Sequence, residues 1–496
     1  MSVYHSMANH SGAFELTLPP QPVGTRAYEW LYETLRTQIL DGRLRRGTRL
    51  PSTRELAERY GLARGTIVNA FDLLKSEGYL NGSAGSGTFV SEVLPDEFLT
   101  IERRRATDPA RHTARRHLSE YGRRVRYDPN FEPNAARAFR SNLPAIDLFP
   151  VKQWSALSVR RIRGGGADLF VGCDPIGYAP LRQAVADYLN ASRGVKCSPD
   201  QVLIVSGVQE AIDVAARVLL DPGDRVCVED PGYPGASTVF ESCGAEVIPV
   251  TVDAEGMHVS DADLRGARLA YVTPAHQAPL GVTMSLRRRL ALLDWARRNE
   301  ALILEDDYDS EYRYSSRPVP ALQGIDRNAN VIFTGSFNKV LFPSLRLGYV
   351  VAPADLVDRF VAVKSITSRH AQLLDQATLC DFITEGHFAR HVRRMRAIYA
   401  ERLSVLMQSV RERLNGVLEV SDVEAGLQTT AWLPKGIDPK AVQRRAQEHG
   451  LAVNVLSSFA RRPLQRDGLQ LGFAAVGTAQ IHRGVETLAA VLDSLG

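Results

Sequence analysis

Cysteine is scarce in this 496-residue chain. Cys173, Cys197, Cys227, Cys243 and Cys380 are scattered, odd in number and never spaced as C-x-x-C. That excludes a disulfide framework and a cysteine-rich metal centre, so no metal is expected. An apolar run of about 18 residues is missing and so is a leader pattern, which makes the cytoplasm the expected compartment, with no membrane partner. Charge of one sign is not in excess either: a net charge of +4 carries no argument for nucleic acid by itself. No internal repeat and no low-complexity tract is found. The length exceeds one ordinary core and suggests about three domains.

What is present is unevenly spread. Between Arg103 and Arg126 stand nine arginines and only two acids, Asp108 and Glu120. Residues 93–135 have little periodicity and read as a basic linker that adds nonspecific phosphate attraction, or as a solvated tether. Residues 1–26 read as a flexible arm. Between arm and linker, 27–92 has the pattern of a small helical domain. Tyr28, Leu31, Leu35 and Ile39 share one helical face, and Gly42 stops that helix. Ser52, with Glu55 three residues on, has the spacing of a capping box before a second helix. Ile67, Ala70, Phe71 and Leu74 mark the buried face of a third. Tyr79-Leu80 and Thr88-Phe89-Val90 then flank a Gly/Ser-rich tip, as in a β-hairpin. Three helices and a hairpin make a winged helix-turn-helix. Arg64 and Thr66 open the third helix, where groove-reading residues belong. Arg54, one helix earlier, is placed for a phosphate or a guanine edge, and Gly85, Ser86 and Gly87 form the wing.

From 136 onward strands and helices alternate. Strands are expected at 201–205, 225–228, 269–272, 302–304 and 331–333, with helices at 208–219 and 287–298. This is a doubly wound α/β domain, followed from about 385 by a smaller α+β subdomain. In such sheets ligands bind at the carboxyl ends of strands, and five ends here carry unusual residues. Ser206-Gly207-Val208-Gln209 leads into a helix N-terminus, an anion cradle. Asp230-Pro-Gly-Tyr233 presents an aromatic ring. Thr273-Pro-Ala-His276 follows the third strand and Glu305-Asp306-Asp307-Tyr308-Asp309 the fourth; Asp307 and Asp309 read as loop acids or helix caps. The fifth, Ser336-Phe-Asn-Lys339, puts an amine at the end of an apolar strand. Burial lowers a lysine pKa, which suits Schiff-base chemistry. A phosphorylated pyridine aldehyde would use the whole set. Lys339 forms the imine, and Asp306 pairs with the ring nitrogen. Tyr308 donates to the ring oxygen and Tyr233 stacks. Gly207, Val208, Gln209, Ser336 and Arg346 hold the phosphate.

Two sets of motifs carry a resemblance. Leu50-Pro-Ser-Thr-Arg-Glu-Leu-Ala, Leu62-Ala-Arg-Gly-Thr-Ile-Val, Glu77-Gly-Tyr-Leu and Gly85-Ser-Gly-Thr-Phe-Val resemble a GntR-family winged helix. Asp306-Asp-Tyr308 and Ser336-Phe-Asn-Lys339, with Arg346 seven later, resemble a fold-type-I aminotransferase. Together, in this order, they resemble the MocR/GabR regulators. The resemblance implies pyridoxal 5'-phosphate bound as a Schiff base on Lys339, with Asp306 and Tyr308 as catalytic-type partners and His276 among the cofactor contacts. It also implies double-stranded operator DNA as a partner, a small amine, amino acid or vitamin B6 compound as effector, and a homodimer in which each DNA-binding domain crosses to the partner's large domain.

The sequence departs from the family pattern at five positions. Ser83 stands where wings often carry a basic residue. Ala278 stands where aminotransferases commonly carry an Asn for the ring oxygen. Val208 and Asn338 replace serines. Gln470 stands where the arginine that grips a substrate carboxylate is usual, and Arg461 or Arg462 is the expected stand-in. The primary reading is a regulator that senses rather than turns over. The alternative is an active aminotransferase with an appended DNA-binding module. A repressor that no longer binds cofactor is disfavoured by the intact Lys339, Asp306, Tyr308 and Arg346.

Overall fold

The computed structural model describes residues 18–22, 24–83, 87–95, 117–125, 135–314 and 320–495. Two compact units are present, 1–117 and 118–496. Of the wing tip, Gly85 and Ser86 lie outside the described residues, as do most of the linker arginines.

In the first unit, α1 (Ala27–Leu40), α2 (Thr53–Tyr60) and α3 (Arg64–Ser76) enclose a core of Leu31, Leu35, Ile39, Leu56, Ile67, Phe71 and Leu74. Ser52 caps α2 as its spacing predicts, accepting from the Glu55 N–H at 3.2 Å. Gly61 ends α2 in the left-handed conformation. Strands β1 (Arg49–Leu50), β2 (Leu80–Ser83) and β3 (Gly87–Val90) form an antiparallel sheet in the order β1-β3-β2.

The second unit begins inside the stretch read as linker. Ser119 caps a short helix, Glu120–Arg124, by accepting from the Gly122 N–H. The Arg217 guanidinium lies 5.9 Å from the Tyr121 ring centre, which ties this helix to the body of the unit.

The main sheet contains β4 (Val202–Val205), β5 (Arg225–Asp230), β6 (Glu246–Asp253), β7 (Gly256–Met257), β8 (Ala267–Val272), β9 (Leu302–Asp307), β10 (Val331–Ser336) and β11 (Gly348–Val351). Their order is β4-β11-β10-β9-β8-β5-β6-β7. β10, β9, β8, β5 and β6 run parallel; β11 is antiparallel to both β10 and β4. The strands are apolar on both faces because helices cover both. Val226 and Val228 pack with Phe240 and Ala211 on one side, and Cys227 packs with Leu292 and Trp295 on the other. The sequence pattern located five of these eight strands but not β6, β7 or β11. β6 is interrupted by Pro249, and β7 has only two residues.

The C-terminal subdomain holds an antiparallel sheet of β12 (Glu419–Val420), β13 (Gln428–Trp432), β14 (Asn454–Val455) and β15 (Gly468–Gly472), ordered β12-β13-β15-β14. Helices His387–Arg413 and Thr478–Asp493 pack behind it. Residues 138–142 are stitched to this sheet: the Gly472 N–H donates to Phe139 O, and the Ala452 N–H to Ala138 O.

One glycine controls the β10–β11 contact under the site. A Cβ on Gly335 would lie 2.5 Å from Tyr349 Cζ, and Tyr349 is held by the Phe333 and Phe337 rings. Gly335→Ala is therefore expected to destabilise the protein by about 1–3 kcal/mol through overpacking. Denaturant unfolding checks this; a change within about 0.5 kcal/mol, typical of a surface position, would contradict it.

Candidate functional site

The carboxyl ends of β4, β5, β8, β9 and β10 lie along one edge of the sheet, and each ends in the residues singled out above. Lys339 sits three residues past β10, with a partly buried side chain. Its Nζ donates to Asn142 O at 3.1 Å. Burial pushes the amine down to about 8; the Asp309 and Asp306 charges oppose the shift, and the Arg140 guanidinium adds to it.

Asp306 is the second-last residue of β9 and is 3% exposed. Burial pushes its carboxyl up to about 7. The Tyr271 hydroxyl donates to Oδ2 at 2.5 Å, while Oδ1 is buried with no partner among the described residues. A desolvated carboxylate oxygen without a donor is costly. A protonated ring nitrogen is the donor that would complete it, so the cofactor's pyridine end fits. The Tyr308 hydroxyl lies 3.0 Å from His276 Nδ1, and the same nitrogen lies 2.9 Å from Asp309 Oδ1. His276 Nε2 is buried and unpartnered among the described residues.

The phosphate end is equally defined. Gly207 precedes helix Val208–Leu219 with φ near +141°, a conformation that favours glycine. A Cβ there would lie 3.0 Å from Asn338 Nδ2 and 3.9 Å from Arg346 Nη1, so the missing side chain leaves a gap between them. The first-turn N–H groups of Val208 and Gln209 open toward an anion, while the Ser206 N–H is already taken by Glu210 Oε2 at 2.6 Å. Arg346 is exposed and in the left-handed conformation, φ 51°, just after the Pro343–Leu345 turn. Ser336 Oγ accepts from the Asn338 N–H. The Tyr233 hydroxyl donates to Gln209 Oε1 at 3.1 Å, and Gly235 leaves room for the ring. Gln209 thus orients Tyr233 as well as offering its backbone.

Several site residues escaped the sequence reading. Asp307 is the last residue of β9 rather than a loop acid or cap, and Asp309 does lie in the loop that follows but is buried there. Asp307 is buried against Arg193, with Nη2 to Oδ2 at 2.6 Å, and Asp309 is buried against His276. Asn338 Oδ1 accepts from the Leu347 N–H and closes the loop that carries Lys339, a reason for Asn in place of Ser. Beside Ala278, Gln277 turns inward and donates to Glu229 Oε2 and Pro231 O. Gln470 is buried on β15 with Oε1 unpartnered among the described residues. The expected stand-ins for its arginine are engaged elsewhere: Arg461 pairs with Glu241, and Arg462 pairs with Asp230 at 2.9 Å. Only tertiary structure could reveal those partners.

At the winged helix, Arg64 is exposed in the first turn of α3 with Thr66 beside it, and Arg54 is exposed with Glu58 as its neighbour at 3.4 Å. Arg49 was missed. Its Nε would lie 2.8 Å from a Cβ on Gly87, so a guanidinium flanks the wing where Ser83 supplies no charge.

Two family models match the chain: bacterial regulatory proteins of the gntR family over 27–90, and aminotransferase class I and II over 150–488. The chain is similar to the probable rhizopine catabolism regulatory protein MocR of Rhizobium meliloti, 41% identical over 460 residues and covering 92% of each chain. It is 34% identical over 470 residues to the HTH-type transcriptional regulator TauR of Rhodobacter capsulatus, covering 92% of this chain and 94% of that one. Among solved structures it resembles the alpha-aminoadipate aminotransferase LysN of Thermus thermophilus, complexed with N-(5'-phosphopyridoxyl)-L-leucine. There the TM-score is 0.70 at 28% identity, over 76% of this chain and 97% of that one. The kynurenine aminotransferase of Pyrococcus horikoshii matches with a TM-score of 0.71 at 25% identity, over 77% and 98%. With a GntR winged helix at one end and the pyridoxal-phosphate-dependent aminotransferase fold at the other, the chain belongs to the MocR-type transcriptional regulators.

Proposed function

We propose that pyridoxal 5'-phosphate is attached through Lys339 and that a small amine or amino acid entering this site is the signal that alters operator binding. The observation that carries this is the pairing of a depressed amine at Lys339 with the orphaned, desolvated Oδ1 of Asp306. The bound cofactor supplies an electrophilic carbon and an electron-withdrawing ring. This chain's residues do the rest. Asp306, held by Tyr271, would keep a proton on the ring nitrogen. Tyr308, steadied by His276 and Asp309, would serve the ring oxygen. Gly207, Val208, Gln209, Ser336 and Arg346 would anchor the phosphate. Arg140, whose charge is felt at Lys339, is the cation available to an effector carboxylate in place of Gln470. The reading includes a cytoplasmic homodimer with exchanged DNA-binding domains; no helix among the described residues is long and apolar enough to cross a membrane.

Covalent capture of the cofactor requires the neutral amine. Lys339 carries a folded-state pKa lowered from 10.5 to about 8, so the neutral fraction grows as pH rises through about 8. Reconstitution of apoprotein, followed by visible absorbance, should speed up with pH and level off above about 8. Lys339→Ala should abolish the band that survives dialysis, and borohydride should tag Lys339. Tagging of a different lysine would sink the assignment.

For DNA, Arg64→Ala is expected to weaken binding to the chain's own upstream region by about 1–3 kcal/mol and to relax specificity. Arg49→Ala should weaken binding uniformly across sequences and reduce its salt dependence. Fluorescence anisotropy at several salt concentrations checks both. Unchanged binding by the Arg54→Ala, Arg64→Ala double variant would rule out α2 and α3 as the interface.

For turnover, an uncharged Gln470 forfeits a charge-assisted pair worth about 1.5–3 kcal/mol. We expect amino acids to perturb the cofactor spectrum with little keto-acid release, and Arg140→Gln to weaken that perturbation. Steady keto-acid production at ordinary enzyme rates would favour the aminotransferase reading instead.

A further inference from the structure

A second cavity, of about 380 Å³, shares no residue with the cofactor site. Three elements bound it: the end of helix Ala179–Arg193, the loop after β9, and the first turns of helix His387–Arg413. It therefore lies between the large domain and the helix that begins the C-terminal subdomain.

Its polar lining is dominated by guanidinium groups. Arg193 is neutralised by Asp307, and Arg313 is paired with Glu424. Arg396 donates to Glu311 O through Nε and Nη2, at 3.1 and 2.7 Å. Arg393 is exposed, and no ion pair or hydrogen bond engages its side chain among the described residues. Against them stands one carboxyl, Glu311, which accepts from the Tyr188 hydroxyl at 2.9 Å and is pushed up to about 7 by burial. A second and independent feature points to a ligand. Ser310 is 7% exposed and lines the cavity, yet its hydroxyl has no partner among the described residues. A buried hydroxyl without a partner is costly in an otherwise finished fold.

We propose that this cavity binds a small organic anion, whose carboxylate or phosphate is held by Arg393, Arg396 and the Ser310 hydroxyl. Guanidinium groups suit either oxyanion geometrically. An occupant would tie helix His387–Arg413 to the loop that follows Asp306 and Tyr308. The loop's first anchor is the Arg193–Asp307 pair, one residue from the carboxylate assigned to the cofactor ring, so occupancy should also be sensed at the cofactor. The site does not depend on Lys339 being the attachment point.

The test uses full-length protein saturated with pyridoxal 5'-phosphate, so that the cofactor's own phosphate site is filled. Inorganic phosphate and succinate are titrated separately by calorimetry at low ionic strength, with the visible band of the bound cofactor recorded in parallel. Saturable binding of at least one probe is expected, and the tighter probe identifies the oxyanion. Arg393→Gln should weaken it about ten-fold or more, Arg393→Lys should restore part of the loss, and Ser310→Ala should weaken it with the cofactor band retained. The proposal is overturned if neither probe saturates the wild type at millimolar concentration, or if Arg393→Gln and Ser310→Ala both bind as the wild type does.

Discussion

Ionisable groups packed at the ends of parallel strands set the terms for this fold. Asp306, Asp307, Asp309 and Lys339 crowd within a few residues of the β9 and β10 termini, and an unpaired charge there would cost several kcal/mol. Asp307 meets Arg193, Asp309 meets His276, and Asp306 meets Tyr271 on one oxygen. The remaining oxygen of Asp306 has no donor among the described residues. Among the described residues, Glu229 Oε1 at the end of β5 shares that lack of a donor, but only Asp306 is an acid the family pattern pairs with a ring nitrogen. Glycines serve the site too, since Gly207 and Gly235 clear space for a phosphate and for an aromatic ring.

Much of this was legible in the sequence, for a physical reason. Buried charged and hydroxyl-bearing residues directly after apolar strands are uncommon, so Ser206-Gly207, Asp306-Asp-Tyr308 and Ser336-Phe-Asn-Lys339 stand out against apolar runs. The winged helix was legible through caps and helical period, which are local. What escaped depends on long-range pairing. Arg193 lies 114 residues from Asp307, and Asn142 lies 197 from Lys339. No local pattern announces either. Helix Glu120–Arg124 escaped because it is one turn in a polar stretch held by tertiary contact with Arg217.

The departures from an enzyme pattern fall into two kinds. Asn338 is a structural exchange: its side chain takes the Leu347 N–H and braces the loop that carries Lys339, so the attachment geometry survives the change. Gln470 is different: it carries no charge on β15, and Arg461 and Arg462 are paired with Glu241 and Asp230. The cation nearest to Lys339 in electrostatic effect is Arg140, from the segment that enters the domain.

The Asn142 carbonyl has a consequence of its own. It accepts from the free Lys339 amine, and its residue's N–H donates to Gln428 of β13. A few residues earlier, the backbone at Phe139 is joined to Gly472. Once the amine is committed to a carbon atom, the Asn142 oxygen loses that donor and must be satisfied another way. Residues 139–142, tied to the C-terminal sheet, would therefore be hydrogen-bonded differently in each covalent state of a single nitrogen. Where such a coupling exists it is reciprocal, so a shift of this stretch would alter the readiness of that nitrogen to react.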